Sequence, residues 1–376
     1  MKDLFIFAGE MSGDLLGEKL LQSLLKIDPN LDVEGVGGPK MRALGMKPFL
    51  KMEEFEVMGF VDVFSSLPKL FKLFKKVKAH LLKNPPKKIV FIDYPGFNLR
   101  MAKALRKKKI SSKMFQYVCP SVWAYGKGRI ATMEKTLDSL LTILPFEPAL
   151  FDQTSLPVTY VGNPLTKKIA DHSYHSNWRK VYHIPPKALI ISIFPGSRKK
   201  ELLSNFPMQM RCISSVFENK QECVLAVSAS KREWVPILEK YLKKNVAVID
   251  SEHTYELMRD SHLALATSGT VTLELALHST PTIVCFAIKP LDVFIARKLL
   301  RINIPYFSLP NIIAQKEVFP ELYGPNFTEK NLEDKVKDFL LSYVKHQNCI
   351  ESCESMRHLL GNQDASRIAA RTILDA

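Results

Sequence analysis

Apolar residues in this chain fall into short continuous runs separated by stretches of helical spacing. Leu4–Ala8 is one such run and predicts a strand buried on both faces. From Leu15 to Leu25 apolar residues recur three and four apart, which predicts a helix. Further strands are predicted at Ile89–Ile92, Met114–Val118, Leu140–Leu144 and Val158–Val161, with helical patterns between them. A break follows Gly162-Asn163-Pro164, and the polar stretch Asp171–Pro186, which lacks a clear period, suits a linker or hinge. A second strand series then runs through Leu189–Phe194, Cys223–Ser228, Val246–Ile249, Leu263–Ala266 and Thr282–Phe286. This alternation predicts an α/β protein of two consecutive doubly wound domains with a cleft between them. The expected boundaries are 1–164, 165–345 and a helical tail, 346–376, packing back on the first domain or on a partner subunit.

The chain has 376 residues, enough for two domains each with its own core. At 46% hydrophobic and 24% charged, with no repeat or low-complexity tract, it is neither a solenoid nor a disordered protein. Lys and Arg number 53 against 38 Asp and Glu, a formal charge of +15 that favours anionic partners: nucleic acid, anionic lipid or phosphorylated small molecules. The six cysteines include no Cys-x-x-Cys pair, the nine histidines do not cluster, and no zinc spacing appears. These features point to a reducing, cytoplasmic setting and to no bound metal. The N-terminal apolar run is too short for a signal peptide, and no window is long enough to span a bilayer, so membrane contact is expected to be peripheral.

Several segments place reactive residue types just after a predicted strand. Ala8-Gly9-Glu10-Met11-Ser12-Gly13-Asp14 opens the first helix; Glu10, Ser12 and Asp14 stand where a ligand crevice is expected, and Ser12 or Asp14 equally suits a helix cap. Asp93 ends a strand in Phe91-Ile92-Asp93-Tyr94-Pro95-Gly96-Phe97-Asn98; partial desolvation there would raise its basicity, as a general base needs. Pro195-Gly196-Ser197-Arg198-Lys199-Lys200-Glu201 follows the first strand of the second domain, and Arg198 can grip phosphate oxygens. Ser268-Gly269-Thr270, opening another helix, can hold a diphosphate, and Glu274 one turn on can take ribose hydroxyls. Asn311 and Gln315 are polar residues inside an apolar stretch, and spacing alone does not separate ligand binding from loop support.

From Phe60 to Leu82, Phe60, Phe64, Phe71 and Phe74 alternate with Lys69, Lys72, Lys75, Lys76 and Lys78. Phenylalanines beside charges of one sign predict an interfacial helix on anionic lipid; a basic surface helix with a buried stripe is the plainer alternative.

Taken in order, these segments resemble the lipid-A-disaccharide synthase family. The likeness rests on Ala8-Gly9-Glu10 with Ser12-Gly13-Asp14, Gly35-Val36-Gly37-Gly38-Pro39-Lys40-Met41, Ile92-Asp93 with Phe97-Asn98, Pro120–Tyr125, Val161–Pro164, Pro195–Arg198 with Glu201, Ser268–Thr270 with Glu274, Leu309-Pro310-Asn311 and Pro320-Glu321. The resemblance implies a GT-B fold of two Rossmann-like domains, the second holding the nucleotide-sugar. It implies transfer from UDP-2,3-diacylglucosamine to 2,3-diacylglucosamine 1-phosphate, giving a β-1,6 disaccharide and UDP, by a protein peripheral on the cytoplasmic face of the inner membrane. UDP-sugar is substrate, no cofactor is implied, and a homodimer is left open. Asp93 falls on the position of the base, with Glu10 in the signature loop as the other carboxylate; Arg198 and Asn311 fall on positions important for activity. Gly96 stands where many members have Asp, and Cys119 where Ser is expected, which bears on acceptor contacts. The rival readings are another GT-B enzyme on UDP-N-acetylglucosamine, an epimerase or hexosaminyltransferase, and a non-catalytic binder of anionic lipid. No nucleic-acid motif appears.

Overall fold

The computed structural model describes residues 2–55, 62–217, 223–242, 246–288 and 304–376, and of 62–66 the backbone alone. It divides into two compact units, one of residues 1–164 with 362–376, the other of 165–361.

The first unit is built on seven parallel strands: β1 (Leu4–Ala8), β2 (Val33–Gly37), β3 (Lys47–Lys51), β4 (Lys88–Ile92), β5 (Lys113–Tyr117), β6 (Ser139–Thr142) and β7 (Val158–Tyr160), in the order β3-β2-β1-β4-β5-β6-β7. Every residue of β1 is buried, as a strand covered on both faces requires. Its alternate side chains feed two cores. Leu4, Ile6 and Ala8 join Leu20, Leu21 and Leu24 of α1 (Met11–Ile27) and Met41 of α2 (Pro39–Ala43). Phe5 and Phe7 join Leu73, Val77 and Leu81 of α3 (Asp62–Lys83), Leu99 and Leu105 of α4 (Pro95–Arg106) and Met133 of α5 (Gly128–Thr136).

The second unit carries α6 (Pro164–Ala170), α7 (Trp178–Val181), β8 (Leu189–Phe194), α8 (Lys199–Phe217), β9 (Cys223–Ala229), α9 (Val235–Glu239), β10 (Val246–Asp250), α10 (Thr254–Asp260), β11 (Ser261–Ala266), α11 (Thr270–Leu277), β12 (Thr282–Phe286), α12 (Leu309–Ala314), β13 (Glu321–Tyr323), α13 (Glu329–Leu341) and α14 (Tyr343–Leu360). Its sheet is also parallel, in the order β10-β9-β8-β11-β12-β13.

The stretch 171–186, expected as a linker, is packed into the second unit. Trp178 is buried and its Nε1 donates to Asp260 at 3.0 Å; Arg179 Nε reaches the same carboxylate at 3.1 Å. His172 meets the buried Glu256 carboxylate at 3.2 Å. These polar residues have no helical or strand period because they satisfy partners on α10 instead of presenting one face.

The tail expected from 346 divides at Gly361. Helix α14 stays with the second unit, whereas the last helix, α15 (Ala365–Asp375), packs on α1 of the first. Ala365, Ala369, Ala370 and Ile373 are its buried face. Asp364 caps its start by accepting from the Arg367 amide at 3.1 Å, and Lys88 Nζ donates to the Leu374 carbonyl at 2.6 Å near its end. Small residues let α15 lie close, and Ile373, wholly buried, fills the remaining space. Ile373→Ala therefore lowers the stability of the first unit by about 2–5 kcal/mol, read from urea unfolding; wild-type stability would show that α15 contributes no packing.

Candidate active site

In an open parallel sheet, a ligand crevice lies beyond the carboxyl ends of two neighbouring strands whose connections leave toward opposite faces. In the first unit those strands are β1 and β4: α1 covers one face and α4 the other. In the second unit they are β8 and β11. The turns after these four strands hold Glu10 and Ser12, Asp93, Arg198, and Ser268 with Gly269.

Asp93 follows β4 in a left-handed backbone conformation, φ 50°, and Tyr94 repeats it at φ 44°. Two consecutive non-glycine residues there need outside support. The Asp93 carbonyl accepts from Asn98 Nδ2 at 2.5 Å and from Gln116 Nε2 at 2.9 Å, while its amide donates to the Tyr117 carbonyl at 2.9 Å. The Asp93 side chain is left to face the crevice, where Ser12 Oγ donates to Oδ2 at 3.4 Å. Burial pushes its pKa above the usual carboxylate range, and the Tyr94 amide and Ser12 hydroxyl only partly oppose this. Glu10 is exposed at the last position before α1, and its charge adds to burial in pushing the Tyr94 phenol up. An aromatic wall backs the turn: Phe97 stacks on Phe7 at 4.6 Å and meets Phe55 and Phe74 edge-on at 5.5 and 5.3 Å.

Asn98, Asp14 and Asn311, all within the candidate motifs, are engaged in holding loops. Asn98 is fully buried beneath Asp93 and supports that turn. Asp14 is also fully buried; its carboxylate accepts from the amides of Gly38 at 2.8 Å, Lys40 at 3.1 Å and Met41 at 3.3 Å, capping α2. Glycine is required at 38 because a Cβ there would overlap the Asp14 carboxylate. Asn311 is likewise buried: Oδ1 accepts from the Val318 and Phe319 amides at 2.8 and 2.9 Å, and Nδ2 donates to the Phe319 carbonyl and Glu321.

Glu321 is the centre of the network around Asn311. Its Oε1 accepts from the Ser308 amide and hydroxyl at 2.8 and 2.7 Å, and Oε2 from the Phe307 amide at 3.0 Å. Ser268 Oγ then donates to the Phe307 carbonyl at 3.2 Å. The loop before α12 is thereby tied to the turn after β11. Gln315 lies outside this network, exposed and left-handed at φ 52°, with Nε2 donating to the Ile312 carbonyl at 2.5 Å.

Around the turn after β8, Glu201 accepts from the Ser197 and Arg198 amides at 3.3 Å each and pairs with Arg198 Nη1 at 2.7 Å. Glu201 therefore caps α8 and orients Arg198. The Arg198 side chain remains 82% exposed, free to meet an anion. Gly269 and Thr270 are exposed at the start of α11. Glu274 accepts from Tyr255 OH at 2.7 Å and lies 3.7 Å from Lys168 Nζ, a half-buried carboxylate with fixed orientation.

On α3, Leu73, Val77 and Leu81 are buried and Phe74 packs on Phe97, so Phe74 belongs to the core side and not to a membrane-facing set. Phe71 is 59% exposed, Lys72, Lys75 and Lys76 are exposed beside it, and Lys75 Nζ sits 4.5 Å over the Phe71 ring. Phe60, and the side chain of Phe64, lie outside the described residues.

Gln116 and Tyr255 were not marked by sequence reasoning, and Glu321 was marked only within the Pro320-Glu321 likeness, with no role given to it. Glu321 offered a signal, a carboxylate beginning a short edge strand; Gln116, inside an apolar strand, gave only its polarity.

A family model described as Lipid-A-disaccharide synthetase matches residues 4–373. A lipid-A-disaccharide synthase from Chlamydia pneumoniae is 41% identical over 326 residues, 85% of this chain and 53% of that protein. One from Coxiella burnetii is 30% identical over 372 residues, 99% of this chain and 98% of that protein. The chain spans about half the length of the chlamydial relatives that it matches. Among solved structures, a UDP-GlcNAc 2-epimerase from Neisseria meningitidis bound to UDP-GlcNAc superposes with a TM-score of 0.65 at 13% identity, over 100% of both chains. The glycotransferase of kitacinnamycin superposes at 0.63 and 12% identity, over 99% of both. At such identities the likeness is one of fold, two Rossmann-like domains of the GT-B kind. By the extent of the family match and the identity to these relatives, the chain belongs to the lipid-A-disaccharide synthetase family.

Proposed function

We propose that this chain is an inverting hexosaminyltransferase, joining UDP-2,3-diacylglucosamine to 2,3-diacylglucosamine 1-phosphate through a β-1,6 bond with release of UDP. The observation that carries the reading is the half-buried Asp93, its pKa raised and its carboxylate turned to the switch-point crevice of the first unit. The acceptor 6-hydroxyl attacks the anomeric carbon in one displacement. Asp93 removes the hydroxyl proton as the carbon–oxygen bond to UDP breaks. Charge growing on the departing diphosphate is met by Arg198 and by the amides opening α11 after Gly269. Glu274, oriented by Tyr255, is placed to accept from ribose hydroxyls. Glu10, at the exposed rim, suits acceptor contact.

Asp93→Asn keeps the size of the side chain and removes the proton acceptor, so kcat falls by about 10²–10⁴-fold while UDP binding and thermal melting persist. The wild-type enzyme loses kcat as pH falls through the raised pKa of Asp93, because only the carboxylate accepts a proton. That acid limb lies above the usual carboxylate range and disappears from the residual activity of the Asn variant. Undiminished turnover in Asp93→Asn would transfer the base role elsewhere, Glu10 first.

The reading needs no metal, since Arg198 and a helix N-terminus supply the compensating charge and no Asp-x-Asp pair occurs in the sequence. UDP release therefore continues in excess chelator; activity abolished by chelator and restored by magnesium or manganese would overturn that part.

Lipid substrates place the reaction at a membrane, and α3 supports docking on the cytoplasmic face of the inner membrane. No helix among the described residues is long and apolar enough to cross a bilayer. Exposed Phe71 with Lys72, Lys75 and Lys76 supplies an apolar contact and charge, each lysine adding about 1 kcal/mol near an anionic surface. Phe71→Ser together with Lys72→Glu, Lys75→Glu and Lys76→Glu releases the folded protein from anionic vesicles in a sedimentation assay. Unchanged vesicle binding would remove α3 from the docking surface.

A further inference from the structure

The first two turns of helix α1 carry two large apolar side chains that its packing does not use. Its buried stripe is Gly13, Asp14, Gly17, Leu20, Leu21 and Leu24. Met11 and Leu15 lie off that stripe, 56% and 46% exposed. They are four residues apart, so they share one face of the helix, and Ser12 lies three residues before Leu15 on the same side. Ser12 is the residue whose hydroxyl reaches the Asp93 carboxylate at 3.4 Å. The exposed apolar pair is thus contiguous with the group that touches the proposed base.

Single exposed apolar residues are ordinary and call for no explanation. Here their distribution is not scattered. Among the described residues, the first unit's large exposed apolar side chains are Met11, Leu15, Ile27, Leu67, Phe71 and Tyr125. All but Ile27 sit toward the carboxyl edge of the sheet. Met11 and Leu15 occupy the first turns after β1, Tyr125 follows β5, and Leu67 and Phe71 lie in the half of α3 farther from β4, into which α3 leads. The edge-on contact of Phe74, near the middle of α3, with Phe97, in the first turn of α4, holds the middle of α3 at the same edge. A water-filled crevice for a sugar hydroxyl and a base gains nothing from such a rim. A substrate with hydrocarbon beside the reacting hydroxyl does, because each chain segment leaving water is stabilised in proportion to the apolar area covered.

We infer that Met11 and Leu15 form an acyl-chain subsite beside Asp93, which holds hydrocarbon of the acceptor lipid next to the catalytic turn and makes the enzyme discriminate acceptors by chain length. The assignment rests on the transferase reading above and adds to it a specificity-determining surface. The bond made is unchanged; the pair acts by covering apolar surface of the bound acceptor, so its effect falls on kcat/KM for acceptors with long chains.

The test uses the full-length chain in detergent, where vesicle binding plays no part, with two acceptors differing only in acyl length. Met11→Ser with Leu15→Ser lowers kcat/KM for the long-chain acceptor roughly ten- to hundred-fold and leaves that for the short-chain acceptor, UDP binding and the acid limb of kcat unchanged. Both positions are exposed, so the variant melts as wild type does. Met11→Leu with Leu15→Met, which keeps the apolar area, retains long-chain activity. Ile27→Ser, a change of like exposure at the opposite end of α1, leaves both acceptors unaffected. Equal losses on both acceptors, or no loss on either, overturn the subsite. So does an equal effect of Ile27→Ser, which would make the losses a property of α1 as a whole. A wild-type chain that transfers to neither acceptor counts against the transferase reading itself, an outcome separate from these.

Discussion

The constraint on which the rest depends is the reversal of strand order in two parallel sheets. In each, the first strand is central and the chain winds outward from it in both directions, so neighbouring connections leave on opposite faces. Backbone amides and carbonyls at the carboxyl ends of β1 and β4, and of β8 and β11, cannot be covered by a helix crossing over them. Polar and charged residues can collect there without displacing core. The continuous apolar runs of β1 and β8 are the other side of that condition, since strands covered on both faces leave functional groups only their ends.

At the first of these ends, opposing effects set the character of Asp93. Burial destabilises its charged form, while the Ser12 hydroxyl and a backbone amide stabilise it; burial is the larger, and the pKa rises. The turn that presents it is itself strained. Left-handed residues other than glycine cost about 1–3 kcal/mol each. The Asn98 and Gln116 hydrogen bonds offset about 1 kcal/mol each, and the stacking of Phe97 on Phe7 supplies a further fraction. The turn is therefore stable only with its buried supports in place.

Much of this was legible in the sequence. The apolar runs marked most of the central strands, and the residues after them marked the crevices, because burial on both faces leaves an unmistakable composition. The strands that escaped were β2, β3 and β13: Val33–Gly37 is rich in glycine, Lys47–Lys51 is polar at both ends, and Glu321–Tyr323 is three residues long. The polar residues inside motifs were harder. Asp14, Asn98 and Asn311 stand beside the crevices in sequence yet point inward, each satisfying backbone groups of a loop that has no regular partner. A residue type and its spacing cannot distinguish a side chain that touches a ligand from one that holds the turn touching it. Both are polar, both follow a strand, and only burial separates them.

Arg198 shows why an internal partner need not remove a residue from function. Its pair with Glu201 is short, 2.7 Å, but the arginine side chain is 82% exposed. Exposed pairs of this kind contribute about 0–1 kcal/mol, so little holds the arginine against a better partner. Glu201, by contrast, is fixed by two backbone amides at the start of α8. The carboxylate is therefore the anchored member and the guanidinium the movable one, oriented at low energetic cost and carrying donors that the pair does not engage. In the reaction proposed above, a diphosphate brings more charge and more acceptor oxygens than Glu201 can present after the amides are satisfied, and the proposal has Arg198 bind it without a rearrangement of the turn.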